Sequence, residues 1–356
     1  MADTTFTILG TTGSGKTCYL TGLYYKMVRG MRGYSITTDD DSDYKLRNDY
    51  KKMQDTSLQS DRFPAGTDNL SEYEFQLEYG YNPILSFKWV DYPGGALASK
   101  NEGDYEQYQT IKNSIKNSSC LFICVDGSLL VGDDTDEKID NIKDECSAII
   151  NPFFSEYLKE NEMLPPTAIL ITKYDKCKDD TSSEELCTIM EECFSPFFIK
   201  SNNTNVKRLI TIIPVSLGKD LDDSSYMSKL RPINIHLPIF MGIWFAQQDL
   251  IKKYLKDIKN INKKITSDGL KKSSEEDSFF LWRDSKLINE LKDKIDNNEK
   301  EKTKIKNLIE SMKNNNNKLL EELNKINIIY LNGDKQDNFS KIVEDISSEK
   351  TMMISH

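Results

Sequence analysis

The residues best suited to chemistry in this sequence form a glycine-rich loop near its start. Residues 10–17 read Gly-Thr-Thr-Gly-Ser-Gly-Lys-Thr, a match to the pattern G-x-x-x-x-G-K-[ST]. Glycines let backbone N–H groups turn inward around an anion, and the positive end of the following helix faces the same charge. The loop therefore predicts a site for a nucleotide phosphate chain. The residues assigned to nucleotide binding here are Gly10, Thr12, Gly13, Ser14, Gly15, Lys16, Thr17 and Cys18.

Two side chains of this loop have distinct predicted tasks. Lys16 reaches the β- and γ-phosphates as a point charge, and the Thr17 hydroxyl is an oxygen ligand for Mg²⁺. Downstream, Trp89-Val-Asp-Tyr-Pro-Gly94 ends a predicted strand. Asp91 is suited to hold Mg²⁺ through water, and the Gly94 N–H is suited to meet the γ-phosphate. The alternative for the loop alone is an ordinary glycine turn before a helix.

A third segment distinguishes the purines. Residues 172–175, Thr-Lys-Tyr-Asp, follow a buried strand, and the Asp175 carboxylate can accept both N–H groups on the guanine edge. Adenine presents no such pair of donors. The Lys173 stem can cover the flat face of the base, and a backbone N–H at Ser216 or Leu217 can serve guanine O6. Together with Thr172 these residues predict GTP or GDP as the ligand, against the alternative of a surface turn.

The elements that must position these residues alternate along residues 1–250. A β-type run, 5–9, precedes the loop, and a helical pattern follows it. Runs 73–79 and 85–89 predict an antiparallel hairpin at a sheet edge. Apolar runs predict buried strands, and helical patterns lie between them. This order predicts an α/β fold with a mostly parallel sheet and helices on both faces. The strand runs are 121–125, 168–171 and 209–215, and the helical patterns lie near 104–117, 136–160 and 183–200.

The pattern changes after the apolar helix predicted over 237–246. Residues 251–326 show a 3-4 spacing of apolar residues, which predicts a helical coiled-coil stalk with a loop near 267–284. Two alternatives stay open: the coiled coil joins two chains, or Asn314–Asn317 break the second helix. Residues 327–356 form a predicted tail that either docks on residues 1–250 or stays mobile.

The charge and composition of the chain argue against several classes of function and location. The net charge is −10, and an acidic body argues against a nucleic-acid-binding surface. Residues 251–326 carry 19 Lys and Arg against 14 Asp and Glu, a net of +5, which solvated helix faces explain. No apolar stretch is long enough to span a membrane, no secretory signal is evident, and the seven cysteines form no C-x-x-C pair. We therefore expect a cytoplasmic protein.

With these motifs the chain resembles the P-loop GTPases of the translation-factor and Ras-related class over about residues 4–250. Residues 63–67 and Asp91–Gly94 also resemble bacterial GTPases called double-GTPase-like, found with phage-defence systems. The resemblance implies that Thr67 completes Mg²⁺ coordination and senses the γ-phosphate, and that Lys16, Thr67 and Gly94 serve catalysis. It also implies that residues 61–70 and 94–104 order with GTP. Thr37, Thr38 and Thr56 are alternatives to Thr67.

One position departs from that family. Many of its members carry Gln directly after the Asp-x-x-Gly glycine to orient the attacking water, whereas this chain has Gly95. We therefore expect slow or partner-activated GTP hydrolysis. Arg62 is a candidate for an arginine acting on the phosphates of its own chain, with a solvated switch arginine as the alternative. The expected function is a molecular switch that signals to a protein effector, and the alternative is a structural GTPase whose self-association depends on nucleotide.

Overall fold

The computed structural model describes residues 4–66, 70–97, 105–161, 164–200, 208–218, 230–277 and 285–347. The chain forms two compact units. One unit is built from Met1–Phe245 together with Leu320–His356, and the other is Ala246–Leu319. The helices that begin at Leu237 and Ser285 each contribute residues to both units.

The first unit contains a nine-stranded sheet with the order β2-β3-β4-β1-β5-β6-β7-β8-β9. Its core strands are short apolar runs that are buried on both faces, as the sequence predicted. The strands are β1 Thr4–Gly10, β2 Tyr34–Thr37, β3 Ser71–Tyr79, β4 Asn82–Asp91, β5 Cys120–Asp126, β6 Thr167–Thr172, β7 Leu209–Pro214, β8 Ile328–Leu331 and β9 Asp334–Gln336.

The sheet is mixed, which corrects the prediction of a mostly parallel one. Strands β4, β1, β5, β6 and β7 pair in parallel, but β2, β3 and β4 pair antiparallel at one side, and β7, β8 and β9 do so at the other. Tight turns impose this direction on two of the four antiparallel pairs, β3–β4 and β8–β9. Tyr81 and Gly80 have positive φ between β3 and β4, and Asn332 and Gly333 do so between β8 and β9. The predicted hairpin β3–β4 is present, but β2 lies outside it, so the hairpin is not at the edge.

Helices cover both faces of the sheet, because alternate residues of a strand point to opposite sides. On one face, Trp89 stacks on Tyr19 of the first helix at 6.1 Å between ring centroids. On the other, Leu9 belongs to a core cluster with Ile111 and Phe153 from helices later in the chain. The helices are α1 Lys16–Met27, α2 Asp40–Gln54, α3 Tyr105–Lys116, α4 Thr135–Ile142, α5 Ala148–Asn161, α6 Ser183–Cys193, α7 Ser195–Phe198, α8 Leu237–Glu276, α9 Ser285–Leu323 and α10 Phe339–Ser347.

The apolar start of α8 packs under the sheet at a glycine. Gly242 lies so close to Phe6 of β1 that a Cβ there would stand 3.0 Å from the ring. Residues Ile239, Phe240 and Ile243 of the same segment are fully buried. This confirms the buried helix predicted over 237–246.

Apart from Asp277, the described residues of the second unit belong to α8 and α9. Positions of the predicted apolar seam are buried, for example Ile251, Ile261 and Ile309. The loop predicted near 267–284 is wrong over its first ten residues, because α8 continues to Glu276. A single glycine costs a long helix only about 1 kcal/mol, and a Lys272–Glu276 ion pair at 3.5 Å spans its last turn. Residues 314–317 are helical as well, so the alternative of a break there is excluded. The coiled coil itself stays a prediction.

The predicted tail docks on the first unit, the first of the two alternatives. Strand β8 pairs antiparallel with β7 in the register Leu209↔Leu331 to Ile212↔Ile328, and β9 pairs with β8. Ile329 is fully buried. Among the helices described, none combines the length and the apolar character that crossing a bilayer requires.

Candidate functional site

One cavity of about 430 Å³ brings the three predicted segments together. It lies at the carboxyl ends of the parallel strands, where α/β sheets bind ligands. Loop residues after β1 line one part, and residues after β6 and β7 line another. The lining residues are Thr12, Gly13, Gly15, Lys16, Thr17, Cys18, Tyr19, Phe63, Pro64, Ala65, Gly66, Gly94, Thr172, Lys173, Asp175, Lys176, Val215, Ser216, Leu217 and Ile235.

The glycine loop has the backbone that an anion site requires. Gly13 and Gly15 have φ of 81° and 84°, in the left-handed region, and Gly15 caps the N-terminus of α1 without a capping side chain. The N–H groups at this helix start are therefore available to a phosphate. Gly10 does not line the cavity, but it lets the strand pass β5, since a Cβ there would stand 2.7 Å from the Cys124 carbonyl oxygen.

The Lys16 side chain folds back over the loop, so that its ammonium group contacts the backbone of the loop itself. Its Nζ donates to the Gly10 and Thr11 carbonyl oxygens at 2.9 and 3.1 Å. Burial lowers the pKa of Lys16, against the opposing effect of the nearby Cys124 and Asp91. A bound phosphate chain would restore the favourable environment of the charged form, because an adjacent anion stabilises a buried cation.

Thr17 and Asp91 supply the oxygen donors that were predicted for a metal. The Thr17 hydroxyl donates to Asp91 Oδ2 at 3.3 Å, and the Asp91 carboxylate at the end of β4 is buried. A hydroxyl and a carboxylate next to a phosphate loop fit Mg²⁺, which takes few protein ligands and shares phosphate oxygens. Among the described residues no group of three His, Cys, Asp or Glu side chains could hold a metal without such a shared ligand.

Gly94 lies directly against the phosphate loop. A Cβ at this position would stand 2.2 Å from the backbone nitrogen of Thr12, so no larger residue fits here. The chain after β4 therefore approaches the phosphate end of the cavity at backbone distance. This is where a Gly94 N–H could meet a terminal phosphate.

The other end of the cavity is held by Thr172. Its hydroxyl donates to the Ser14 carbonyl oxygen at 2.7 Å, and it lies 3.1 Å from the Val125 carbonyl oxygen. This side chain ties the end of β6 to the phosphate loop. Lys173 follows with φ of 49°, a strained conformation for a non-glycine residue, and its Nζ contacts Asp126 Oδ2 at 2.5 Å. The ion pair fixes the Lys173 stem beside the cavity.

Asp175 is oriented by a chain of hydrogen bonds. The Gly218 N–H donates to Ser216 Oγ at 2.8 Å, and the Ser216 hydroxyl donates to Asp175 Oδ1. The Ser216 N–H donates to the Ile233 carbonyl oxygen at 3.2 Å. Since the Ser216 amide is engaged, Leu217 is the better candidate of the two for donating to a base oxygen.

Cys18 lies at the cavity between these two ends. Burial raises the pKa of its thiol to about 11. The side chain is therefore a neutral, weakly polar part of the cavity lining at neutral pH.

A second cavity of about 790 Å³ adjoins the first on the side of Thr17 and Asp91. Both cavities are lined by Thr17 and by residues 63–66. Sequence reasoning singled out Arg62 and found a motif in 63–67, but it did not anticipate the wall of this second cavity. It also missed Asp126, whose position at a strand end next to β6 was the available signal. Thr67 lies outside the described residues, so its predicted role stays a prediction.

Comparison with known proteins finds no matching family model and no matching curated protein. Solved structures do match. Translation elongation factor SelB from Methanococcus maripaludis, in complex with the GTP analogue GppNHp, is 17% identical over 61% of this chain and 30% of its own, with a TM-score of 0.28. The Ski7 GTPase-like domain of S. cerevisiae, bound to GTP, is 17% identical over 64% and 46%, with a TM-score of 0.32. The FeoB G-domain of Methanococcus jannaschii is 14% identical over 61% and 87%, with a TM-score of 0.28.

This chain thus spans less than half the length of the SelB and Ski7 chains that it matches. At these TM-scores the matches carry no argument about function. The functional assignment depends on the residues of the cavity.

Proposed function

We propose that this chain binds guanine nucleotides with Mg²⁺ and hydrolyses GTP slowly. The observation that carries the proposal is a single cavity with a phosphate loop at one end and the oriented Asp175 carboxylate at the other. A carboxylate accepts the paired N–H donors of guanine, and it repels the acceptor N1 of adenine. The nucleotide would lie with its phosphates at Gly13–Thr17 and its base at residues 172–175 and 216–217.

In the proposed reaction a water attacks the γ-phosphorus, the bond to the β–γ bridging oxygen breaks, and GDP and inorganic phosphate leave. Bound Mg²⁺, held by Thr17 and Asp91, would neutralise phosphate charge. Lys16 would exchange its two carbonyl contacts for phosphate oxygens, and the Gly94 N–H would hold the terminal phosphate. Thr67, by resemblance, would add a further oxygen ligand and sense the γ-phosphate.

We infer further that the protein acts as a switch. Residues 63–66, which line both cavities, and Gly94, which lines the first, flank the phosphate end, where GTP and GDP differ. A change there would reach a protein effector through segments 61–70 and 94–104 or through the helical stalk. A role in phage defence is an expectation from the resemblance alone.

The test of base choice is Asp175→Asn. Isothermal calorimetry of the wild-type chain with Mg²⁺ should show binding of GDP and GTP and much weaker binding of ATP. In the variant, GDP affinity should fall at least about 100-fold, since the charged acceptor is lost and one guanine N–H donor is left facing the NH2 donor of the new amide. The variant should gain affinity for XDP, because the 2-oxo group of xanthine accepts from the new amide.

The matched control is Asp179→Asn, an exposed carboxylate four residues further along, which should bind GDP as the wild type does. Unchanged guanine affinity in Asp175→Asn, or a wild-type preference for ATP, would show that the assignment is wrong.

A further inference from the structure

Arg62 is buried, as is Arg208, but the Arg208 guanidinium donates to the Ile199 carbonyl oxygen at 3.0 Å. Arg62 ends a short, kinked helical segment, Thr56–Arg62, and is only 6% exposed. Its Nε and Nη1 atoms are buried without a hydrogen-bond partner among the described residues. The guanidinium carbon lies 4.9 Å from the ring centre of Phe63. A buried guanidinium with unused donors is costly unless an anion meets it.

The position of Arg62 indicates which anion that is. Arg62 lines the 790 Å³ cavity together with Thr17 and Asp91, the two predicted metal ligands. That cavity meets the nucleotide cavity at Thr17 and at residues 63–66, on the phosphate side. The base end, at Asp175, is not part of the 790 Å³ cavity. Arg62 thus lies on the phosphate side of the site and not on the purine side.

We propose that Arg62 is a γ-phosphate ligand supplied by the chain itself, so that this protein tells GTP from GDP with a built-in arginine. This assignment rests on the proposed function. The planar guanidinium offers paired donors that fit two phosphate oxygens, which lysine cannot match. With Gly95 in place of a water-orienting glutamine, the arginine stabilises the charge on the γ-phosphate but leaves the attacking water without a side-chain partner.

The experiment compares affinities for GDP and for the non-hydrolysable analogue GppNHp, both with Mg²⁺, in Arg62→Ala. The affinity for GppNHp should fall at least about tenfold, the size of one charged hydrogen bond, while that for GDP stays within about twofold. Arg62→Lys should lie between the wild type and Arg62→Ala for GppNHp. The matched control is Arg47→Ala, a partly exposed arginine of α2 that pairs with Asp43 at 2.6 Å, and it should change neither affinity.

The outcomes separate the two proposals. If the wild type binds no guanine nucleotide, the proposed function is wrong. If the wild type binds both nucleotides and Arg62→Ala keeps the full GppNHp affinity, only the assignment of Arg62 is overturned. An equal loss for GDP and GppNHp, or failure of both Arg62 variants to fold in a thermal melt, would show a structural role and overturn it as well.

Discussion

At the level of single residues, the proposed slow hydrolysis of GTP depends on the position after Gly94. Gly95 has no side chain to orient a water, and a Cβ placed there would meet no described atom within 4 Å. Gly94, one residue earlier, has no such room, because a Cβ would collide with Thr12. There is therefore room for a side chain at Gly95 but not at Gly94, and both positions lie beside the proposed terminal phosphate.

We expect Gly95→Gln to speed up hydrolysis. The amide of the new side chain can reach a water next to the γ-phosphate, as the corresponding glutamine does in related phosphoryl-transfer sites. The single-turnover rate of GTP hydrolysis should rise at least about tenfold, which corresponds to about 1.4 kcal/mol of barrier. The wild-type rate should lie well below one per second, measured as phosphate release from a preformed complex.

Gly95→Ala is the matched control, since it adds a Cβ without a hydrogen-bonding group and should leave the rate near that of the wild type. A wild-type rate of several per second without a partner would contradict the slow-turnover prediction. An identical rate in the glutamine and alanine variants would show that the water is positioned elsewhere.

At the level of elements, the site follows from parallel strands whose carboxyl ends meet at one edge. Gly10, Asp91 and Thr172 each end a strand of the parallel part, and Ser216 comes shortly after another. Because a parallel sheet brings these ends together whatever the loop lengths between them, the sequence sufficed to predict that residues of the phosphate loop share the cavity with Thr172 and Asp175, although Gly10 and Asp91 do not line it. It could not predict the cavity wall formed by residues 63–66, which depends on the path of an irregular segment.

The elements that sequence reasoning missed have weak local signals. Strand β2 has four residues, too few for a clear alternation. Helix α2 buries only Leu46, Tyr50 and Met53 out of fifteen residues, so its apolar face is narrow. Strand β8 was recognised as β-like, but its partner β7 lies more than a hundred residues earlier. Such long-range pairing is set by burial of residues such as Ile329 against the core, and local pattern does not reveal it.

His236 joins the end of α9 to the turn before α8 within the first unit. Its Nε2 lies 3.2 Å from Glu322 Oε2, and Lys325 and Arg32 contact the same carboxylate. Burial lowers the pKa of His236 below its ordinary value of 6.5, although the contact with Glu322 opposes this. As pH falls, the unfolded chain therefore takes up the proton before the folded one does. The contribution of neutral His236 to the free energy of unfolding is therefore fully present above pH 6.5. It is lost as the pH falls from 6.5 toward the pKa that His236 has in the folded chain.

We expect the melting temperature of the wild type to fall between pH 7.5 and pH 5.5, and the fall to be smaller in His236→Gln. Each kcal/mol corresponds to about 2–4 °C in a domain of this size. Glu322, whose pKa is lowered below 4.5, titrates outside this window. The control is His356→Gln, which removes the other histidine of the chain and should keep the wild-type pH dependence. An unchanged pH dependence in His236→Gln would contradict the assignment.

At the level of the whole molecule, the two units have different chemistry. The nucleotide cavity and the sheet lie in the first unit, which includes the C-terminal strands β8 and β9. The described residues of the second unit are almost all helical, and most of the unit overlaps the basic segment 251–326. Many of its seam residues are buried in a single chain, including Leu291 and Leu319 at 4% and 0% exposure, and others, such as Ile258 and Ile295, are half-buried. This burial favours a stalk whose two helices pair within one chain over a seam that joins two chains.

The oligomeric state tests this view and separates a switch from an assembly protein. We expect mass photometry or light scattering to give the mass of one chain, 40.9 kDa, with GDP and with GppNHp alike, because seam residues such as Ile251, Ile309 and Leu319 are already buried within one chain. Ile309→Glu, which places a charge in the seam, should lower the melting temperature and leave the mass unchanged. The control is Lys306→Glu, an exposed change of charge on the same helix.

A wild-type dimer that Ile309→Glu dissociates would assign the seam to an interface between chains. A polymer formed only with GppNHp would favour nucleotide-controlled assembly over a switch. Hydrolysis would then determine how long the polymer persists, and not how long an effector stays bound.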